Sequence, residues 1–143
     1  MNYYIGNIKK EKDVIFVFGS NPLGIHGKGA ACIAKRDFGA KYGQGEGLQG
    51  NSYAIPTKDL RVKKNGGAKS ISPKQIVNSI SKMYQVANEH PDKKFMVAYR
   101  NTSQKSLNGY TGYEMIDMFL RAGKVPNNVY FSKEWYNEIK EKK

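Results

Sequence analysis

A run of five bulky apolar residues, Val14-Ile15-Phe16-Val17-Phe18, predicts a strand buried on both faces, because no polar position alternates within it. The run ends at Gly19-Ser20-Asn21 and passes through a loop holding Gly24, Gly27 and Gly29. It then enters small residues that predict a helix from Ala30 to about Phe38. Before it, Asn2 to Ile8 reads as a short edge strand. After it, Gly43 to Gly50 reads as a loop, Asn51 to Ile55 as a strand stopped by Pro56, and Lys63-Lys64-Asn65-Gly66-Gly67 as a turn.

The second half has the clearest helical periods. Ser72-Pro73 supplies a cap and a first-turn proline, and Ile76, Val77, Ile80, Met83, Tyr84 and Ala87 keep one apolar face until Pro91. Phe95 to Tyr99 predicts a second buried strand. Thr111 with Glu114 forms a capping box for a helix through Met115, Ile116, Met118, Phe119 and Leu120 that ends at Gly123. Asn128 to Phe131 predicts a last strand, followed by a short helix with Trp135 and Ile139. Strands alternating with helices argue a three-layer α/β/α sandwich with a mostly parallel central sheet, in one domain over residues 1–143. Such sheets bind ligands beyond the carboxyl ends of their strands, where the loops after Phe18 and Tyr99 emerge.

Composition narrows the function classes. The chain of 143 residues is long enough for a single core. It shows no signal peptide and no long apolar run, so a cytoplasmic protein with no membrane partner is expected. The lone Cys32 excludes an internal disulfide and reads as a packed thiol. His26 and His90 stand far apart without partners at ligand spacing, so neither a metal nor a cofactor is expected. The net charge of +12 sits partly in Lys9-Lys10-Glu11-Lys12, Arg61-Val62-Lys63-Lys64 and Lys140-Glu141-Lys142-Lys143. Solvated surface charge, steering of a multiply charged nucleotide and nonspecific nucleic-acid contact all fit it. Nucleic acid is not the favoured partner, because no RNA-binding or helix-turn-helix pattern accompanies the charge. The oligomeric state is left open.

A strand, a glycine loop and a helix start in direct succession bring exposed N–H groups and a positive dipole end to one spot, a phosphate cradle. It is not a Walker loop: Pro22 stands where the first glycine is needed and Gly29 where Ser or Thr is needed. It is not a dinucleotide fingerprint either, because Cys32 occupies the third glycine position. The second glycine match, Gly45-x-Gly47-x-x-Gly50, runs into Asn51-Ser52-Tyr53 instead of a helix.

Around that loop, the Asn21 carboxamide suits vicinal ribose hydroxyls and equally suits an Asx turn before Pro22. His26 fits proton transfer at a phosphate oxygen and equally a loop brace. Gly27 and Gly29 let backbone approach a diphosphate, and Lys28 offers countercharge or faces solvent. Gln44 and Gln49 are left between ligand contact and loop structure.

Taken together, the segment resembles the first ligand loop of macro domains, the ADP-ribose-binding modules. It is most similar to the small macro-domain-like proteins of tailed bacteriophages. In those, GSNxxGxHGxGAA is followed closely by YGQGEGLQGNSYAIPTK, which this chain carries from Tyr42 to Lys58. Leu107-Asn108-Gly109-Tyr110 stands where macro domains put a second ligand loop, and the matching segments cover roughly a third of the chain. The resemblance implies a macro-domain-like fold that binds ADP-ribose or a related nucleotide. Hydrolysis of ADP-ribose 1''-phosphate, or removal of ADP-ribose from a target, goes with it.

The resemblance also implies residue roles. Gly19, Ser20, Asn21, Gly24, Gly27, Lys28 and Gly29 would grip the diphosphate and distal ribose, with Asn21, His26 and Glu46 as catalytic candidates. Leu107, Asn108, Gly109 and Tyr110 would wrap the diphosphate, Tyr110 stacking over the distal ribose. Asn7, in Gly6-Asn7-Ile8, would accept the adenine amine. The alternative implied is a non-catalytic binder in the host cytoplasm, sequestering a nucleotide signal of host defence.

Overall fold

The structure is a computed structural model that describes residues 1–141; Lys142 and Lys143 of the C-terminal charge run lie outside the described residues. Its strands are β1 (Asn2–Tyr4), β2 (Val14–Ser20), β3 (Gly47–Gln49), β4 (Ser52–Pro56), β5 (Lys94–Val97) and β6 (Val129–Ser132). The helices are α1 (Gly29–Asp37), α2 (Pro73–Glu89), α3 (Gly112–Arg121) and α4 (Lys133–Glu141). One sheet runs in the order β1-β6-β5-β2-β4-β3. Every pairing is parallel except β3 with β4. This is the α/β fold with a mostly parallel sheet that the sequence predicts.

The buried run explains why β2 is central. Ile15 and Val17 point into one core with Tyr53, Ile55, Phe95 and Val97. Val14, Phe16 and Phe18 point into the other with Ala54, Ala31 and Ala34. A strand apolar on both faces can sit only where both faces are covered. Helix α1 covers one face, and α2, α3 and α4 cover the other. Each bulky side chain so buried contributes about 1.5–3 kcal/mol relative to exposure.

The expected Ser72 cap and Thr111–Glu114 capping box are both present, and Gln75 completes a capping box at Ser72 as well. Ser72 Oγ accepts from Gln75 N, and Thr111 Oγ1 accepts from Glu114 N at 3.1 Å. Backbone hydrogen bonding to Thr111 also holds the Glu114 carboxyl below its ordinary range. Helix α1 is different. Lys28 at its N-cap makes no side-chain cap, and its first turn has no acidic residue.

Three boundaries differ from the sequence expectation. The edge strand stops at Tyr4 instead of reaching Ile8, and Gly6 follows it in the left-handed region at φ +77. Within the expected loop Gly43–Gly50, residues 47–49 form β3, paired antiparallel with β4. Gly-Leu-Gln carries no β-branched residue; the pairing is held by tertiary contacts, including Gln49 Oε1 accepting from Lys41 N at 2.7 Å. Strand β5 ends at Val97, so Ala98 and Tyr99 begin the loop.

The connection from β4 through α2 to β5 carries the chain from one side of β2 to the other. Strand order therefore reverses about β2, and the crevice outside its carboxyl end is the expected ligand position. The connection is pinned by Asn128, whose Nδ2 donates to the carbonyls of Ala87 (2.9 Å), His90 (2.9 Å) and Lys93 (3.0 Å). Asn128→Ala removes the side chain that ties these three carbonyls together, although Ala87 O and His90 O each keep a backbone N–H donor. It is expected to lower unfolding free energy by about 1–3 kcal/mol, measured by urea denaturation. An unchanged midpoint would show that the junction does not depend on that side chain.

Candidate functional site

The crevice at the reversal point is a cavity of about 590 Å³. It opens where β2, β4 and β5 end: Gly19, Ser20 and Asn21 come from β2, Thr57 and Lys58 follow β4, and Ala98 to Asn101 follow β5. Residues 27–31 form one wall and residues 106–108 another. The volume lies within the range of about 300–1,000 Å³ usual for small-molecule sites.

The wall at residues 27–31 is built by three braces in the loop that precedes it. Asn21 clamps Ile25 from both sides: Nδ2 donates to Ile25 O at 2.7 Å, and Oδ1 accepts from Ile25 N at 3.0 Å. Gly24, at φ +69, accepts from Gly43 N at 2.9 Å, and a Cβ on it would strike the backbone of Gly43 and Gln44. His26 is 3% exposed, its Nε2 lies 2.9 Å from Lys41 O, and its ring meets Phe18 edge-on. Because a carbonyl only accepts, Nε2 carries the proton. Nδ1 is left buried without a partner among the described residues.

With the loop held this way, the backbone N–H groups of Gly27, Lys28, Gly29, Ala30 and Ala31 make no hydrogen bond to any described residue. All five residues line the cavity. They combine the orphan donors of a helix start with the positive end of its dipole. A Cβ on Gly27 would meet open space, so its smallness is not needed by the protein's own packing. Gly29 is needed for its backbone, at φ +59.

The electrostatics are one-signed. Lys28, Lys58 and Arg100 line the cavity, and no Asp, Glu, His or Cys does so among the described residues. Arg100 lies 5.5 Å over the Tyr4 ring, which positions its guanidinium beside β1. The floor at the β5 exit is Tyr99, whose ring stacks on Trp135 at 5.7 Å and meets Phe119 edge-on. Trp135 Nε1 donates to Asn101 O at 2.7 Å, fixing the loop that follows. Burial pushes the Tyr99 hydroxyl up to about 12, with hydrogen bonding to Thr57 and Asn108 pulling the other way.

The structure brings together Gly19, Ser20, Asn21, Gly27, Lys28, Gly29, Leu107 and Asn108. Six other candidates do not line this cavity. Asn7 is exposed beyond the end of β1. Gly24 and His26 serve the loop as described. Glu46 is exposed and borders a separate, smaller pocket with Asp59 and Arg61. Gly109, at φ +90, packs against Ala68 and Lys69. Tyr110 is 4% exposed and donates to Ile71 O at 2.6 Å, so it is a core residue and not a stacking surface. It is turned inward because its N–H donates to Asn108 Oδ1 (2.9 Å) just before the α3 cap. Asn21 lines the cavity with each end of its carboxamide bonded to Ile25, four residues on, a structural clamp wider than the Asx turn considered from sequence.

Gln44 and Gln49 brace their own loop through the carbonyls of Glu46, Leu48, Gln44 and Gly47. The residues the sequence left unassigned are Thr57, Lys58 and Tyr99. The rule placing ligands at strand carboxyl ends would have found all three, since each follows a strand directly. Cys32 is exposed on α1, not packed. Among the described residues, no group of three or more His, Cys, Asp and Glu is placed to hold a metal ion, and no helix is long and apolar enough to cross a membrane. No protein-family model matches this chain, and no curated protein sequence does.

The raised Tyr99 value has a pH consequence. The folded state favours the neutral phenol, so its contribution is fully present below the unfolded value of 10.0 and is lost as pH rises towards about 12. Tyr99→Phe is therefore expected to flatten the fall in stability between pH 10 and 12, followed by denaturant unfolding at each pH. An identical alkaline slope in the variant would contradict a desolvated hydroxyl.

Proposed function

We propose that this chain binds ADP-ribose or a closely related nucleotide diphosphate in the cavity and holds it intact. The observation that carries the reading is the run of unengaged N–H groups from Gly27 to Ala31 beside a cavity with three cations and no carboxylate among its described lining residues. A pyrophosphate matches that arrangement in charge and in acceptor number. The resemblance of residues 19–31 and 42–58 to the phage macro-domain-like proteins supports the ADP-ribose assignment within that class. It extends the reading to sequestration of a nucleotide signal made by a host cell.

Binding is placed ahead of hydrolysis for a chemical reason. Turnover at a phosphate or glycosidic centre needs a group that moves a proton near neutral pH. His26 and Glu46, the two side chains proposed for that work, are absent from the cavity lining, and no described histidine or carboxylate replaces them.

Isothermal titration and thermal shift with ADP-ribose test this. The melting temperature is expected to rise with the logarithm of ligand excess, and chromatography is expected to recover the ligand unchanged. Gly27→Leu fills the open space beside the amides. It is expected to melt close to the wild type and to lose tenfold or more in affinity, about 1.4 kcal/mol. Recovery of ribosyl products at catalytic rates would replace the binding reading with an enzymatic one. No shift with ADP-ribose, alongside oligonucleotide affinity with a steep salt slope, would move the function to nucleic acid.

A further inference from the structure

We infer that Tyr99 and Thr57, with Ser20 beside them, form the subsite that recognises the sugar hydroxyls at the far end of the bound nucleotide diphosphate. This rests on the binding reading above and adds to it the residues that choose the ligand.

The inference starts from hydrogen-bonding capacity left unspent. Thr57 is 3% exposed and Ser20 4%, so neither hydroxyl has ready access to bulk water. Thr57 Oγ1 and the Tyr99 hydroxyl lie 3.4 Å apart, and Ser20 Oγ reaches Asn21 O at 3.5 Å. Both distances are well beyond the usual O–H···O range of about 2.7–2.8 Å. Thr57 and Ser20 are buried, and buried hydroxyls ordinarily find full partners; Tyr99 is half-buried and has Asn108 beside it as well as Thr57. These three border one cavity, and they follow or end adjacent parallel strands, β5, β4 and β2, so their spacing is set by the sheet.

Their chemistry matches a diol. Each hydroxyl donates once and accepts twice, so the set can meet vicinal hydroxyls, which need both functions. A phosphate would need donors alone, and the amides at 27–31 already offer those. Tyr99 is held from two sides. Its ring is stacked on Trp135, and its hydroxyl lies directly against Gly19, where a Cβ would collide with it. Preorganisation of this kind turns hydroxyl contacts into discrimination. Asn21 is assigned to the shape of the loop and left out of that set, because Ile25 engages each end of its carboxamide.

The test is calorimetric titration of ADP-ribose and ADP into wild type, Tyr99→Phe, Thr57→Val and Asn21→Ala, with circular dichroism confirming the fold of each. Wild type is expected to prefer ADP-ribose. Tyr99→Phe and Thr57→Val are each expected to lose about tenfold on ADP-ribose, equivalent to about 1.4 kcal/mol, and less than twofold on ADP. Asn21→Ala is expected to weaken both ligands alike. Equal losses on the two ligands, or no loss, in a folded Tyr99→Phe or Thr57→Val would overturn the subsite while leaving diphosphate binding in place. Selective loss in Asn21→Ala would overturn it in favour of the carboxamide. A wild type that binds neither ligand would overturn the subsite and the nucleotide reading together.

Discussion

The clamp between the Asn21 carboxamide and both backbone groups of Ile25 governs the shape of everything at the mouth of this sheet. Two hydrogen bonds of 2.7 and 3.0 Å close a five-residue turn directly after the central strand. Without them the segment from Pro22 to Lys28 would have to find its own backbone partners. Of the two groups so released, Ile25 O is the one that the N–H groups now lining the cavity unengaged would suit. The same side chain that looks suited to reading a sugar is therefore used to keep donors available for something else. His26 on Lys41 and Gly24 against Gly43 repeat the device from the opposite side, tying the glycine loop to the segment after α1.

How far this was legible in the sequence depends on the kind of signal. The central strand, the Ser72 cap and the Thr111–Glu114 capping box rest on local apolar runs and cap residues, and these survive tertiary context; the strand order, set by long-range pairing, was not legible. The exposed N–H groups of the glycine loop were legible because they are carried by backbone. The side-chain roles were less so. Asn, His and Tyr each have a structural use and a ligand use, and sequence does not show which way a side chain turns. Tyr110 went inward because Asn108 captured its N–H and Ile71 its hydroxyl. Tyr99 carried no motif at all, and its place at the cavity floor follows from where β5 ends.

The charge of the chain acquires a more specific meaning once its distribution is known. A surplus of +12 spread over a surface is mostly solvated and screened within about 10 Å at 0.1 M salt. Inside the cavity the balance is different, because Lys28, Lys58 and Arg100 face a concave, partly apolar wall with no described carboxylate to offset them. Field lines are focused there, so these three cations weigh more at the cavity than the same charges on an open surface. The surface ion pairs, such as Arg36 with Asp37 and Arg121 with Asp117, are exposed and add little to stability or selection.

Stability and recognition are joined most closely at Tyr99. Its ring belongs to the core through Trp135 and Phe119, and its hydroxyl belongs to the cavity through Thr57 and Gly19. Trp135 also holds Asn101 by its indole N–H, so α4, the last helix, sets the path of the loop that carries Arg100 and leads to Leu107. Leu107 is 64% exposed, and one of its methyls lies 3.3 Å from where a Cβ on Gly29 would sit. The second loop thus meets the amide wall through an apolar contact, while its backbone is held by Ser106 N donating to Tyr110 O at 2.8 Å and Lys69 N to Asn108 O at 2.7 Å. Floor and second loop are therefore both tied to the core, so the width of the cavity mouth follows from the packing around Trp135 and from the turn at residues 106–110.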